Sequence, residues 1–155
     1  IATTDAARVR LHGHLLTIDL TTSVRLDRAD LGDPTPFALT DARAYRTVAR
    51  GDWLWVRVLD PAAALAARSY EHEDRLVIEV HDREEVTTVA LDAGVAASCS
   101  ITTEEPDLVC PASTLGSLLL GGVRPSALAT IGRLQGDVDA VRRADRVLPA
   151  ARPPV

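Results

Sequence analysis

The chain contains no lysine, no asparagine and no methionine, and only 3% of its 155 residues are aromatic. All seventeen basic residues are therefore arginine, a bias that fits a GC-rich coding sequence. With methionine absent and aromatics scarce, the core has to be built from Leu, Val, Ile and Ala, and an apolar fraction of 46% is enough to fold. Because Ile1 is not an ordinary translational start, a fragment, a processed product or an incompletely captured reading frame is expected. The two cysteines, Cys99 and Cys110, lack the spacing of a metal or redox pair and read as small buried hydrophobes. No apolar run approaches the roughly 18 residues of a membrane-spanning helix. No signal peptide is visible, although a missing N-terminus would hide one, so a cytoplasmic location is the default. The net charge is −5 with the two signs interleaved. No face should offer the dense positive field that nucleic acid or an anionic membrane requires, and neither is expected as a partner.

What is present is clearest from Asp52 to Tyr70. Trp53, Trp55, Arg57 and Leu59 alternate with Leu54, Val56 and Val58, which predicts a strand with both faces covered. Asp60 then suits an N-cap and Pro61 a first helical residue, since the N–H that proline lacks has no intrahelical acceptor there. About three turns of helix should follow, ending at Tyr70, its alanines packed closely on a sheet. Three further strands are predicted at Arg75 to His81, Val86 to Leu91 and Val95 to Thr102, separated by short polar turns that favour antiparallel neighbours. Asp107 to Cys110 would complete a sheet of about five strands. Pro111 with Ser113 or Thr114 should start a helix holding Leu115, Leu118, Leu119 and Leu120, and Gly121-Gly122 should end it. Pro125 to Ile131 and Val138 to Leu148 read as two more helices, and the proline-rich tail from Pro149 cannot continue the second.

The stretch before this is different. Thr4 to Leu20 reads as a helix capped by Thr4 or Asp5, with Val9, Leu11, Leu15, Leu16 and Ile18 as its apolar side. Thr21 to Leu26 reads as a short strand, Asp30 to Pro36 as turn, and Thr40 or Asp41 as the cap of a short helix ending near Tyr45 or Arg46. These residues hold too few strands to make a domain and should depend on a sheet the chain does not supply.

Candidate chemistry is sparse. His12 and His14 form a His-x-His, but on a helix two residues apart point about 200° apart and cannot share a small ion. His72 and His81 have no ligand cluster around them, and His81-Asp82 reads better as a polar strand end than as a catalytic pair. Glu104, Glu105 and Asp107 read as a solvated turn. Ser98, Ser100 and Ser117 lack the Gly-x-Ser-x-Gly elbow that exposes a nucleophile. No catalytic, cofactor-binding or metal-ligating residue is assigned. Leu115, Leu118, Leu119 and Leu120 are either ordinary core or contacts for an apolar ligand, since helical spacing says only that something apolar covers them.

The run WLWVRVLDPAAALAARSY at Trp53 to Tyr70, followed by RLVIEVHD at Arg75 to Asp82, resembles the entry to the C-terminal domain of the enhanced intracellular survival (Eis) type N-acetyltransferases. That domain is itself similar to sterol carrier protein 2. Pro106-Asp107-Leu108, Leu115 to Val123, and Gly132-Arg133 leading to Arg143-Ala144-Asp145-Arg146 match the same pattern in order. Asp33-Pro34-Thr35-Pro36-Phe37-Ala38-Leu39-Thr40-Asp41-Ala42-Arg43-Ala44 resembles the end of that family's middle domain. The resemblance implies an α+β fold, residues 1–48 being the tail of a degenerate GNAT-like domain and 49–155 a sterol carrier protein 2-like domain with a mainly antiparallel sheet covered by helices. It implies a parent enzyme that moves acetyl from acetyl-CoA to amines such as aminoglycosides or polyamines, an upstream acetyltransferase domain as partner, and a homo-oligomer, hexameric in relatives. Alternatives are a stand-alone carrier of lipid or another apolar ligand, and a structural or oligomerisation module.

Three departures stand beside the resemblance. The family's acetyl-CoA loop, Arg/Gln-x-x-Gly-x-Gly/Ala, is only half matched by Arg10-x-x-Gly13-x-Leu15 and Arg133-x-x-Gly136-x-Val138, each with a bulky side chain where the backbone must approach phosphate. In Eis-type enzymes a terminal carboxylate on an aromatic residue serves as general base. Here the chain ends Ala151-Arg152-Pro153-Pro154-Val155 without the aromatic, so Val155 is given no catalytic role. Between Asp82 and Val86 only Arg83-Glu84-Glu85 intervene, where relatives carry a longer hairpin, so either the turn is tighter or the register is shifted.

Overall fold

Where apolar residues alternate and a neighbouring segment can pair with them a strand forms, and where aspartate, proline or glycine interrupts them the chain turns. The computed structural model describes residues 2–27, 29, 32–49, 51 and 54–150, in two compact units, Ile1–Trp53 and Leu54–Pro154.

In the first unit Thr4 caps helix α1 (Asp5–Leu16), its hydroxyl accepting the Ala7 N–H at 3.1 Å. The helix stops short of the expected Leu20. Thr17 turns both its N–H and its hydroxyl onto the His14 carbonyl, taking the acceptor that another turn would need, and Leu20 has a positive φ of 63°. None of the residues of α1 is buried. Thr21 to Leu26 joins no sheet, contrary to the strand expected there. A short helix α2 (Thr35–Ala38) occupies part of the predicted turn. Asp41 then caps a 3-10 turn at Ala42–Ala44, accepting the Arg43 N–H at 2.9 Å.

The second unit opens with Leu54 to Leu59; Asp52 and Trp53, part of the predicted strand, lie outside the described residues. The expected alternation survives, with Val58 buried and Val56 half-buried. The strand does not form, because no neighbour pairs with it. Trp55 and Leu59 are 85% and 86% exposed, so the face they share is not covered within the unit. Asp60 caps α3 (Pro61–Ala66) by accepting the Ala63 N–H at 2.9 Å. This helix is shorter than predicted. Leu65 is buried in the core and its carbonyl accepts the Tyr70 hydroxyl at 2.8 Å, while the helix packs on the sheet through its small residues.

Strands β1 (Asp74–Asp82), β2 (Glu85–Ala93), β3 (Ser98–Ile101), β4 (Leu108–Pro111) and β5 (Gln135–Gly136) form one sheet in the order β3-β2-β1-β4-β5. The β1–β2 hairpin closes on Asp82↔Glu85 with only Arg83 and Glu84 between them, so the turn is tighter; Arg83 takes a φ of 58°. β4 pairs with β1 in parallel and the remaining pairs are antiparallel, which makes the sheet mixed. The predicted fifth strand was the tryptophan segment, whereas the fifth strand found is β5, too short to carry an alternation signal. Central β1 buries Leu76, Val77, Ile78 and Val80. Leu76 opposes Leu91 and Ile78 opposes Val89 on the core face. Helices α4 (Ala112–Leu119), α5 (Pro125–Thr130) and α6 (Val138–Val147) complete the unit. The core gathers Leu115, Leu118, Leu128, Ala140, Ala144 and Val147 from them against the strands. α4 lies so close to the opening segment that a Cβ on Gly116 would sit 2.6 Å from the Val56 carbonyl oxygen.

Candidate functional site

The densest polar arrangement of the second unit forms where β4 joins β1. Asp107 precedes β4 and docks on Val77 twice, its N–H donating to the Val77 carbonyl at 2.9 Å and its Oδ2 accepting the Val77 N–H at 2.8 Å. Arg143 of α6 closes the arrangement from above. Its Nη2 donates to Asp107 Oδ1 at 2.5 Å and its Nη1 donates to the Arg75 carbonyl, with Asp74 Oδ1 at 3.4 Å. Burial alone would lower the Arg143 guanidinium, but its bonds and charge contact with Asp107 and Asp74 outweigh that and hold it above the ordinary arginine value. Arg75, on the open face, is raised in the same way by Asp92 and Glu104, at 2.8 and 2.6 Å. Every one of these charges has an opposite partner. The arrangement clamps α6 to the parallel strand pair.

Two clefts flank the β4–β5 edge and share Val109 and Gln135. One, of about 350 Å³, is lined by Glu105, Asp107, Gly136 and Asp137 among others, and the second, of about 270 Å³, by His81, Cys110, Pro111 and Arg133 among others. His81 Nε2 lies 2.7 Å from Glu79 Oε1, and Asp82 pairs with Arg57 at 2.9 Å, so the adjacent His81 and Asp82 are not a pair.

The two half-matches to an acetyl-CoA loop now have positions, and neither suits pyrophosphate. Arg10, Gly13 and Leu15 lie within α1, where the backbone N–H groups serve the helix rather than a loop. Gly136 is in β5 and α6 starts beyond it, but the N-terminus of α6 is already occupied: Asp137 accepts the Ala140 N–H at 2.6 Å. With Asp107 paired to Arg143, Glu105 and Asp137 keep the adjoining cleft acidic, which disfavours a polyanion there.

The remaining candidates fall as follows. Leu115 and Leu118 are buried in the core; Leu119 and Leu120 are half-buried, the latter as the C-cap of α4. Burial pushes the thiols of Cys99 and Cys110 up to about 11, leaving both protonated. They belong to β3 and β4, three strand spacings apart in the sheet, or about 14 Å, too far for a disulfide. Ser117 donates to the Ser113 carbonyl at 3.1 Å. Glu104 and Asp107 are bound to arginines rather than merely solvated. Among the described residues no group of three or more His, Cys, Asp or Glu could hold a metal ion, and no helix is long and apolar enough to cross a membrane. His14 is exposed near the end of α1, but His12 meets Thr35 and Asp33 in the first unit, and Tyr45 donates to the same Asp33, a grouping that sequence spacing did not reveal.

Comparison with known proteins agrees with the fold. A family described as "Sterol carrier protein domain" matches residues 61–155. An uncharacterized N-acetyltransferase of Streptomyces avermitilis is 38% identical over 141 residues, covering 87% of this chain and 33% of the relative. The N-acetyltransferase Eis of Mycobacterium tuberculosis is 41% identical over 118 residues, 73% of this chain and 29% of Eis. The crystal structure of Eis1 from Mycobacterium abscessus superposes with a TM-score of 0.88 at 31% identity, covering all of this chain and 40% of that one. The chain thus spans about a third of the length of the relatives it matches.

Proposed function

Because the chain belongs to the sterol carrier protein domain family and matches the C-terminal part of Eis-type N-acetyltransferases, we propose that it is the non-catalytic region of an acetyl-CoA-dependent N-acetyltransferase acting on amines of the aminoglycoside or polyamine kind. The observation that carries this reading is the fit of the whole chain, at a TM-score of 0.88, onto 40% of Eis1. The cofactor would bind to an acetyltransferase domain upstream, and residues 1–48 would be the tail of a GNAT-like domain leading into the sterol-carrier-like domain at 49–155. The acidic, side-chain-capped start of α6 supports placing acetyl-CoA outside these residues. A cytoplasmic homo-oligomer belongs to the same reading.

Titration calorimetry of acetyl-CoA into the 155-residue chain should give no heat of binding. Saturable binding would overturn the placement of the cofactor site elsewhere.

The sterol-carrier fold also favours a second reading, carriage of an apolar ligand. Leu119 and Leu120, half-buried, are the leucines open to touch one, whereas Leu115 and Leu118 would have to leave the core. Native mass spectrometry that finds a co-purifying acyl ligand would favour this reading over the first.

A further inference from the structure

The described residues of the first unit bury polar side chains. Asp33 and Thr35 are its only buried residues among those described. Asp33, ionised, can only accept. Its Oδ1 accepts the Thr35 N–H at 2.9 Å and the Thr35 hydroxyl at 2.6 Å, and its Oδ2 accepts the Tyr45 hydroxyl at 3.3 Å. The single hydroxyl proton of Thr35 is thereby committed to Asp33. The 2.6 Å contact between Thr35 Oγ1 and His12 Nδ1 then requires the ring to donate. The imidazole is fixed as the Nδ1–H form, with Nε2 left as a lone pair or a second N–H.

We infer that this relay, from His12 through Thr35 to Asp33 with Tyr45 on the far oxygen, is a proton-linked clasp that ties the helical pieces of the first unit to one another. It joins α1, Asp33 just ahead of the Pro34 cap, the first residue of α2 and the residue after the 3-10 turn. Its proton sensitivity resides in Asp33. A proton on His12 Nε2 leaves the Nδ1–H donor in place and adds a positive charge to a ring whose Nδ1 lies 3.9 Å from Asp33 Oδ2. A proton on Asp33 removes the charge on which the donors converge. The titratable groups that the described elements bring to Asp33 are His12 from α1 and Tyr45 beside the 3-10 turn; α2 brings none.

Burial by itself raises the Asp33 carboxyl, yet the Thr35 hydroxyl and N–H, His12 and Tyr45 outweigh it and hold the group below its ordinary value. Burial and the Asp33 charge push the Tyr45 phenol up. A carboxyl lowered on folding contributes its full stability above the unfolded value near ~3.9 and loses it as pH falls through the folded one. The clasp is therefore closed through the neutral range and opens in acid.

Amide hydrogen exchange on the full chain tests this. Thr35→Val keeps the shape and removes the hydroxyl. The Phe37 and Tyr45 amides, bonded to Pro34 and Ala42, should exchange about 10-fold faster or more, as loss of a buried hydrogen bond predicts, while the amides of β1 and β2 keep their rates. Thr35→Ser should restore the original rates. His12→Asn, which keeps a donor near the Nδ1 position, should be tolerated better than His12→Gln. Unchanged Phe37 and Tyr45 rates in Thr35→Val would overturn the clasp, as would equal acceleration in both units. Long-range proton–nitrogen spectra supply a second readout: a neutral His12 carrying its proton on Nε2 would refute the direction of the relay.

Discussion

A glycine is retained either for the backbone freedom it gives or for the side chain it lacks, and Gly13 and Gly136 separate these cases. Gly13 sits inside α1 with nothing within 4 Å of where a Cβ would be. Gly13→Ala should therefore stabilise α1 by about 0.5–1 kcal/mol, read as slower amide exchange within the helix. Gly136 has no such space, because a Cβ would meet the Asp107 carbonyl oxygen and Leu108 Cδ2, each at 2.7 Å. Gly136→Ala should destabilise the second unit by about 1–3 kcal/mol in urea unfolding followed by circular dichroism, since backbone on one side leaves nothing to yield. In the sequence the two glycines looked alike, each the middle of a half-matched phosphate loop. Their difference lies in neighbours that are distant in the chain, at residues 107 and 108 for Gly136 and none for Gly13.

At the scale of elements, the bracket made by Arg143 decides how α6 is held. The guanidinium serves Asp107, Asp74 and the Arg75 carbonyl from one side chain. Arg143→Ala strands these acceptors and should cost about 1–3 kcal/mol, towards the lower end because solvent can replace part of the bond. Arg143→Lys should recover only a part, as an ammonium is a point charge without the planar fork. Both are checked by the shift in urea midpoint. The arginines of α6 and the acidic group around Asp107 were each visible in the sequence, but as a polar helix side and a solvated turn. They meet only because β4 enters the sheet parallel to β1, and no local spacing reports that pairing. Local alternation served better for β1 and β2, whose extents came out within two residues of expectation. The same alternation misled at Leu54 to Leu59, because a period of two reports which side chains share a face and not whether another strand lies alongside.

For the whole molecule, the position of the apolar core sets where a substitution is felt. It lies in the second unit, where Leu115 is fully buried, while Leu16 of α1 is 49% exposed. Leu115→Ala should lower unfolding stability by about 2–5 kcal/mol. Leu16→Ala should stay within about 0.5 kcal/mol, the range of surface changes. Denaturant midpoints of the two variants measure the contrast.

Local properties carried by neighbouring residues, namely capping, alternation and motif order, were enough for the cap at Asp60, for narrowing the other two caps to Thr4 or Asp5 and Thr40 or Asp41, for the main strands and helices of the second unit, and for the family. It took the folded chain to show that Leu54 to Leu59 stand outside the sheet, that β5 takes the fifth place, that Arg143 reaches Asp107, and that His12, Asp33, Thr35 and Tyr45 gather. Those outcomes depend on groups up to about seventy positions apart, and their meeting is set by packing and by hydrogen bonds that exist only once the chain has folded.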